Sequence, residues 1–170
     1  MGTVNKKMYQ KISQFLEKIY KISGYIAAIF MILIASFIIT GILSRIFGFY
    51  VRGLAEYSGY SMAAASFLAL AYTFNENEHI RITLFLEKAN EKWKKILQTW
   101  CLLVATIFSG YFAFYFFKML KVSYEFQERS EGADEILIWI PQSFVALGSF
   151  IFFICITHQF LKIFIKKNYE

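Results

Sequence analysis

Four long stretches of this 170-residue chain contain no Asp, Glu, Lys or Arg, and they limit what it can fold into. The shortest has 19 residues and the longest has 26. An α-helix rises about 1.5 Å per residue, so roughly 20 apolar residues cross a hydrocarbon layer of ~30 Å. We therefore predict an all-α integral membrane protein, a single domain over 1–170 with four transmembrane helices. Allowing the second helix to begin just before its charge-free stretch, we place them at about 22–44, 55–75, 96–117 and 136–161.

The composition supports a membrane protein and excludes other classes. The chain is 58% hydrophobic and 18% charged, whereas soluble domains carry about 25% charged residues. The pieces between the charge-free stretches have at most 21 residues, too few for a soluble domain. A transmembrane β-barrel would show alternating segments of about ten residues instead. Cys101 and Cys155, the two cysteines, fall inside predicted spans and are expected to be packing residues rather than a disulfide.

The positive charges are unevenly divided between the two sides of the predicted bundle. Thirteen Lys and Arg residues lie in the two termini and the 76–95 loop, against five in the other two loops. The positive-inside rule therefore places both termini in the cytoplasm of a multi-pass protein of the bacterial inner membrane. The net charge of +6 follows from this topology, and we do not expect nucleic-acid binding.

Two segments outside the spans have an amphipathic pattern. Met8, Ile12, Phe15 and Ile22 repeat at helical spacing beside a parallel lysine stripe. This pattern predicts an amphipathic N-terminal helix in the headgroup region, with its lysines on membrane lipids. In the 76–95 loop, apolar residues alternate with charges, which predicts a turn and a short interfacial helix on the cytoplasmic face.

Small residues recur along the second span. Ser61, Ala65 and Ala69 are four residues apart and share one helix face. In lipid, such residues let helix backbones approach closely. Two interpretations remain open, because this face can pack within the bundle or against another protein. Trp139 and Gln142, which flank the only proline, belong to the first turn of the fourth span and are further candidates for an interface with a partner or with lipid.

The spans lack the groups that most membrane chemistry needs. Ion-coupled carriers generally hold ionisable side chains near the bilayer midplane, and the four charge-free stretches offer none. No metalloprotease, phosphate-loop or catalytic-triad motif is present, so we expect no enzyme, no metal site and no cofactor in this chain. His79 and His158 both lie toward the cytoplasmic side, which leaves one alternative: a haem-binding membrane anchor subunit of a respiratory enzyme. A Soret band that shifts on reduction would identify it.

Five short segments resemble one known family in their order and spacing. They read Ile-Leu-Ser-Arg, Arg-Gly-Leu-Ala-Glu-Tyr, Phe-Leu-Ala-Leu-Ala-Tyr, His-Ile-Arg-Ile and Trp-Ile-Pro-Gln, at residues 42–45, 52–57, 67–72, 79–82 and 139–142. With Gly148, they are similar to the small membrane subunit, of DctQ type, of the tripartite ATP-independent periplasmic (TRAP) transporters. One difference is that a paired acidic motif of many members is here a single Glu56 followed by Tyr57.

The resemblance implies a role in a complex. A large permease subunit would hold the substrate and sodium sites and move as an elevator, while this chain braces its scaffold as an obligate partner. A periplasmic binding protein would deliver an organic acid, such as a C4-dicarboxylate, sialic acid or a similar carboxylate, at the outer face. The residues that match the family would contact the permease or lipid headgroups: Arg45, Arg52 and Glu56 on the outside, His79 and Arg81 on the inside.

Overall fold

The computed structural model describes residues 2–76, 91–132 and 135–167. It contains four helices: α1 Gly2–Ile46, α2 Leu54–Glu76, α3 Glu91–Glu125 and α4 Trp139–Lys167. Within the described residues the only extended pairing is an isolated antiparallel bridge between Arg129 and Leu137, in the loop between α3 and α4. The predicted all-helical architecture is therefore confirmed. A short helix is also predicted in the 76–95 loop. Most of that loop, residues 77–90, lies outside the described residues.

Three of the helices are long and apolar enough to cross a membrane: Tyr9–Ile46, Lys95–Glu125 and Trp139–Lys162. Helix α2 has 23 residues, about 35 Å of helix, but its serines, tyrosines and single glycine lower its mean hydropathy. Its length fits a span, and its polar side chains need helix neighbours rather than lipid. The full count of four spans and the orientation remain predictions.

The N-terminal segment differs from our prediction. Helix α1 runs unbroken for 45 residues, about 68 Å, so the amphipathic segment continues the first span instead of forming a separate helix. Its continuity has a physical reason, because Ser13 and Tyr20 are buried against the rest of the protein. Gly24 does not break the helix, and it packs against the Tyr72 ring of α2. The apolar residues Ile12 and Phe15 stay exposed on the opposite side.

The helices pack in the order α1, α2, α4, α3. Helices α2 and α4 form the central pair, α1 lies along α2, and α3 lies along α4. Helix α1 also touches α4, whereas α1 and α3 make at most marginal contact. The two outer helices therefore each present a long apolar face. Of the 18 most apolar consecutive residues in α1, only 6% are buried inside the protein, against 44% in α4.

The central pair depends on small residues. A methyl group at Gly148 of α4 would lie 2.7 Å from the carbonyl carbon of Phe67 and 2.8 Å from the amide nitrogen of Leu68. The backbones of α2 and α4 therefore come together with no room for a side chain between them. Ala64 and Ala71 of α2 are buried around the same contact. In a membrane, this kind of close packing holds helices together.

Polar side chains also connect α2 to both of its neighbours, α1 and α4. The Ser23 hydroxyl of α1 donates a buried hydrogen bond to the Leu68 carbonyl of α2, at 2.5 Å. The Gln159 amide of α4 donates to the Asn75 side chain of α2, at 3.2 Å. Hydrogen bonds between membrane helices contribute about 0.6–2 kcal/mol each, so these contacts add to the packing at Gly148.

The close approach at Gly148 leads to a prediction. We expect Gly148→Ala to lower the thermal midpoint and the yield of folded protein, because the backbone of α2 must move away from the added methyl group. Overpacking of this kind typically costs about 1–3 kcal/mol. A fluorescence thermal-shift assay in detergent measures the change.

Gly59→Ala in α2 is the matched control. A methyl group there meets no atom within 4 Å, and alanine is the better helix former by about 1 kcal/mol. We expect the control to be neutral or slightly stabilising. Equal midpoints for the two variants would show that α2 and α4 are not in backbone contact.

Candidate functional site

A cluster of polar groups ties the loop between α3 and α4 to the start of α2. The hydroxyls of Tyr60 and Ser130 share a hydrogen bond of 2.7 Å. Ser130 also donates to the Glu56 carboxylate at 3.4 Å, and the Gly132 amide donates to Ser130 at 3.3 Å. Gly132 lies so close to the Glu56 carboxylate that any Cβ would overlap it. A side chain at this position would therefore displace the Glu56 carboxylate.

Glu56 has a second favourable interaction, with the helix that carries it. It lies in the first turn of α2, where a negative charge interacts well with the positive end of the helix dipole. The carboxylate is half-buried beneath the loop. The single acidic residue at this position thus both interacts favourably with the α2 dipole and holds the loop.

The loop itself folds back on its own backbone. The Ser130 amide donates to the Ile136 carbonyl at 2.7 Å, and the Ile138 amide donates to the Glu128 carbonyl at 3.0 Å. Glu128 in turn accepts a hydrogen bond from Ser123 at the end of α3, at 2.7 Å. The surface is charged, with an exposed ion pair of 3.4 Å between Arg129 and Glu135. We call residues 126–132 and 135–138 the outer loop, after the side on which the charge distribution predicts it.

The two predicted arginines lie apart from this cluster. Arg45, at the end of α1, and Arg52, just before α2, are both exposed. Neither forms an ion pair with Glu56 or with any other residue in the described part of the chain. Both side chains are therefore accessible at this end of the subunit. His79 and Arg81 lie outside the described residues.

Trp139 and Gln142 line the junction between the outer loop and α4. The Trp139 ring meets the Tyr124 ring edge-on, with 5.5 Å between their centroids. The indole nitrogen of Trp139 and the side-chain oxygen of Gln142 are buried without a hydrogen-bond partner. The polar atoms of these two half-buried residues therefore face the interior of the subunit.

The structure favours one of the two interpretations left open for the small residues of α2. Ser61 and Ala65 are buried within the subunit, as packing within the bundle requires. Only Ala69 is partly exposed. The reason is that α2 lies between α1 and α4, so close packing inside the chain covers that face.

A buried polar cluster, which was not predicted from the sequence, lies at the other end of the bundle. Tyr20 and Cys155 are fully buried, and His158 and Gln159 are 5% and 1% exposed. The Cys155 thiol donates to the Ala71 carbonyl of α2, at 3.5 Å. The cluster thus joins α1, α2 and α4. The sequence contains one signal for this cluster. Ser13 and Tyr20, two polar residues of α1, lie on its packed face, whereas the apolar Phe15 lies on its exposed face.

The surroundings of His158 do not favour the haem alternative. Its ring lies between the rings of Tyr9 and Tyr20, with centroid distances of 6.2 and 6.4 Å. A haem iron would need free space beside one ring nitrogen, and a second ligand on a facing helix. His79, the expected second ligand, lies outside the described residues. Within the described ranges, no three His, Cys, Asp or Glu side chains come close enough together to hold a metal ion.

Comparison with known proteins identifies the family. No curated relative and no solved structure matches the chain. A family model does match residues 34–165, and its description is the DctQ component of the tripartite ATP-independent periplasmic transporters. The match covers α2, α3, the last part of α1 and nearly all of α4, well over half of the chain. The chain therefore belongs to the DctQ component family of the TRAP transporters.

Proposed function

We propose that this chain is the small subunit that braces the large permease during sodium-coupled, binding-protein-dependent uptake of an organic acid. One observation carries the proposal. The chain belongs to a transporter family, yet its four predicted spans contain stretches of 19 to 26 residues without a single Asp, Glu, Lys or Arg. Ion-coupled transport needs ionisable or densely polar groups at mid-depth. The substrate and sodium sites are therefore assigned to the permease, and this chain carries no cofactor and no catalytic site.

The packing of the helices supports a bracing role. The backbone contact at Gly148 and the Gln159 hydrogen bond fix α2 to α4, and the Ser23 hydrogen bond fixes α1 to α2. Discontinuous helices, which line substrate sites in many transporters, do not occur among the described residues, where each helix is continuous. A subunit built this way is suited to hold a partner in place rather than to change shape.

The family and the charge distribution support a proposed location and substrate class. We place the chain in the bacterial inner membrane with both termini in the cytoplasm, because of the thirteen-to-five division of Lys and Arg. The substrate is an organic acid, for example a C4-dicarboxylate, sialic acid or a similar carboxylate. Its identity would be set by the permease and the periplasmic binding protein.

A reconstitution experiment tests the proposal. We expect this chain alone in proteoliposomes to show no sodium-driven uptake of any organic acid. Together with its large permease subunit it should purify as a stable complex. That complex should take up substrate only when the binding protein is added.

The controls are the permease alone and the complex without a sodium gradient, and neither should transport at the full rate. Sodium-driven uptake by this chain alone would overturn the proposal. Normal uptake by the permease without this chain would overturn it as well.

We further propose that the outer loop forms part of the surface that meets the binding protein. It carries exposed charges, and the Tyr60–Ser130 hydrogen bond holds it against α2. Tyr60→Phe should remove that bond, which contributes about 0.5–1.5 kcal/mol. We expect faster hydrogen–deuterium exchange in the outer loop, and slower uptake when the binding protein is limiting.

Tyr50→Phe is the matched control, because Tyr50 is 81% exposed and its hydroxyl faces water. It should change neither exchange nor uptake. If Tyr60→Phe raises exchange in the outer loop without affecting uptake, the loop does not contribute to the binding-protein surface.

A further inference from the structure

The outward face of α3 carries a line of hydrogen-bond donors. Tyr111 and Tyr115 are 57% and 47% exposed, and their ring centroids are 4.4 Å apart. The Lys118 ammonium group lies 5.9 Å from the centre of the Tyr115 ring. The three residues are spaced by four and three positions, so they share one helix face. We call them the Tyr–Lys stripe.

The stripe lies in the outer half of the third predicted span. Measured against the charge-free stretch 96–117, Tyr111 is fifteen residues from the first residue and six from the last, or about 22 and 9 Å along the helix. Tyr111 therefore lies below the outer interface, and the stripe extends from there to Lys118, just beyond the charge-free stretch.

Lipid is a poor neighbour for this face. The two phenol rings pack against one another, and a pair of phenols can share only one hydrogen, which leaves at least one O–H without an acceptor. In the described part of the chain, no other helix supplies one to either residue. Hydrocarbon offers no acceptor, and polar groups left unbonded there are costly. The face needs a neighbour that accepts hydrogen bonds.

The other outer helix shows what a face suited to lipid looks like. Beyond Tyr25, an exposed phenol near one end of the predicted span, the exposed large side chains of α1 are aliphatic, with Ile32 67% exposed. Its exposed hydroxyls satisfy themselves, because Ser36 donates to the Ile32 carbonyl at 2.9 Å and Thr40 donates to the Ser36 carbonyl at 2.8 Å. A phenol is too long to reach the carbonyls of its own helix in this way. The two outer helices therefore differ in chemistry.

We propose that the Tyr–Lys stripe of α3 is the surface on which the large permease subunit docks, and that α1 faces lipid. The inference rests on the proposed function, since it takes the permease to be the partner. Complementarity defines the opposing surface: carbonyl, hydroxyl or amide oxygens face the two phenols, and a carboxylate faces Lys118. Hydrogen bonds of this kind are a main attraction between membrane helices.

Photo-crosslinking in the intact complex tests the proposal. A benzophenone amino acid replaces Phe108, which is exposed one turn from Tyr111, so that the stripe itself stays unchanged. The control position is Ile32 on α1. We expect crosslinks to the co-expressed, affinity-tagged permease from position 108 and none from position 32. Crosslinks from 32 alone, or from neither position in a complex that purifies normally, would overturn the assignment.

A second pair of variants tests the chemistry. Tyr111→Phe with Tyr115→Phe keeps both rings but removes both hydroxyls, and should lower the amount of permease retained after detergent washing by roughly 5- to 10-fold. Ser36→Ala with Thr40→Ala on α1 should leave retention unchanged. Equal retention for the two double variants would contradict a role for the phenols.

The outcomes also separate this inference from the proposed function. If the wild-type chain does not purify with the permease at all, the proposed function fails. If it does purify, but the crosslinks come from α1 and the phenylalanine variants bind normally, the proposed function stands and the docking surface is wrong.

Discussion

The backbone contact between α2 and α4 at Gly148 is the interaction on which the rest of this subunit depends. A membrane offers no hydrophobic drive for helices to meet, so small residues and close packing must hold them together. Here Phe67 and Leu68 leave no space for a side chain at Gly148. This central pair then provides the surfaces for α1 on one side and α3 on the other.

The helices and the family could be predicted from the sequence because both depend on local patterns. Stretches without charge identify spans, and the order of short motifs around Glu56 and Trp139 identifies the DctQ component family, which the family model confirms. Which helix faces which is a property of tertiary packing. For that reason the sequence did not show whether Ser61 and Ala65 would lie inside the subunit or on its surface, and the structure places both inside.

Two other features were beyond local patterns. The N-terminal segment has the pattern of an interfacial helix, but contacts of Tyr20 with α4 hold it in line with the span. The outer loop has no periodic pattern, and its shape comes from backbone hydrogen bonds together with the hydrogen bond between Tyr60 and Ser130. In both cases, contacts between residues far apart in the sequence determine the structure. Local patterns along the sequence do not reveal such contacts.

In the proposed function this subunit stays rigid while its partner moves. A distance measurement in the working complex tests this directly. Spin labels at Ile32→Cys on α1 and Ile96→Cys on α3, with Cys101→Ser removing the exposed native cysteine, report the width of the subunit by pulsed electron paramagnetic resonance. The account predicts one unchanged distance distribution without sodium, with sodium, and with the substrate-loaded binding protein. A second distance that grows with sodium or substrate would show that this chain changes shape during transport, and would contradict the account.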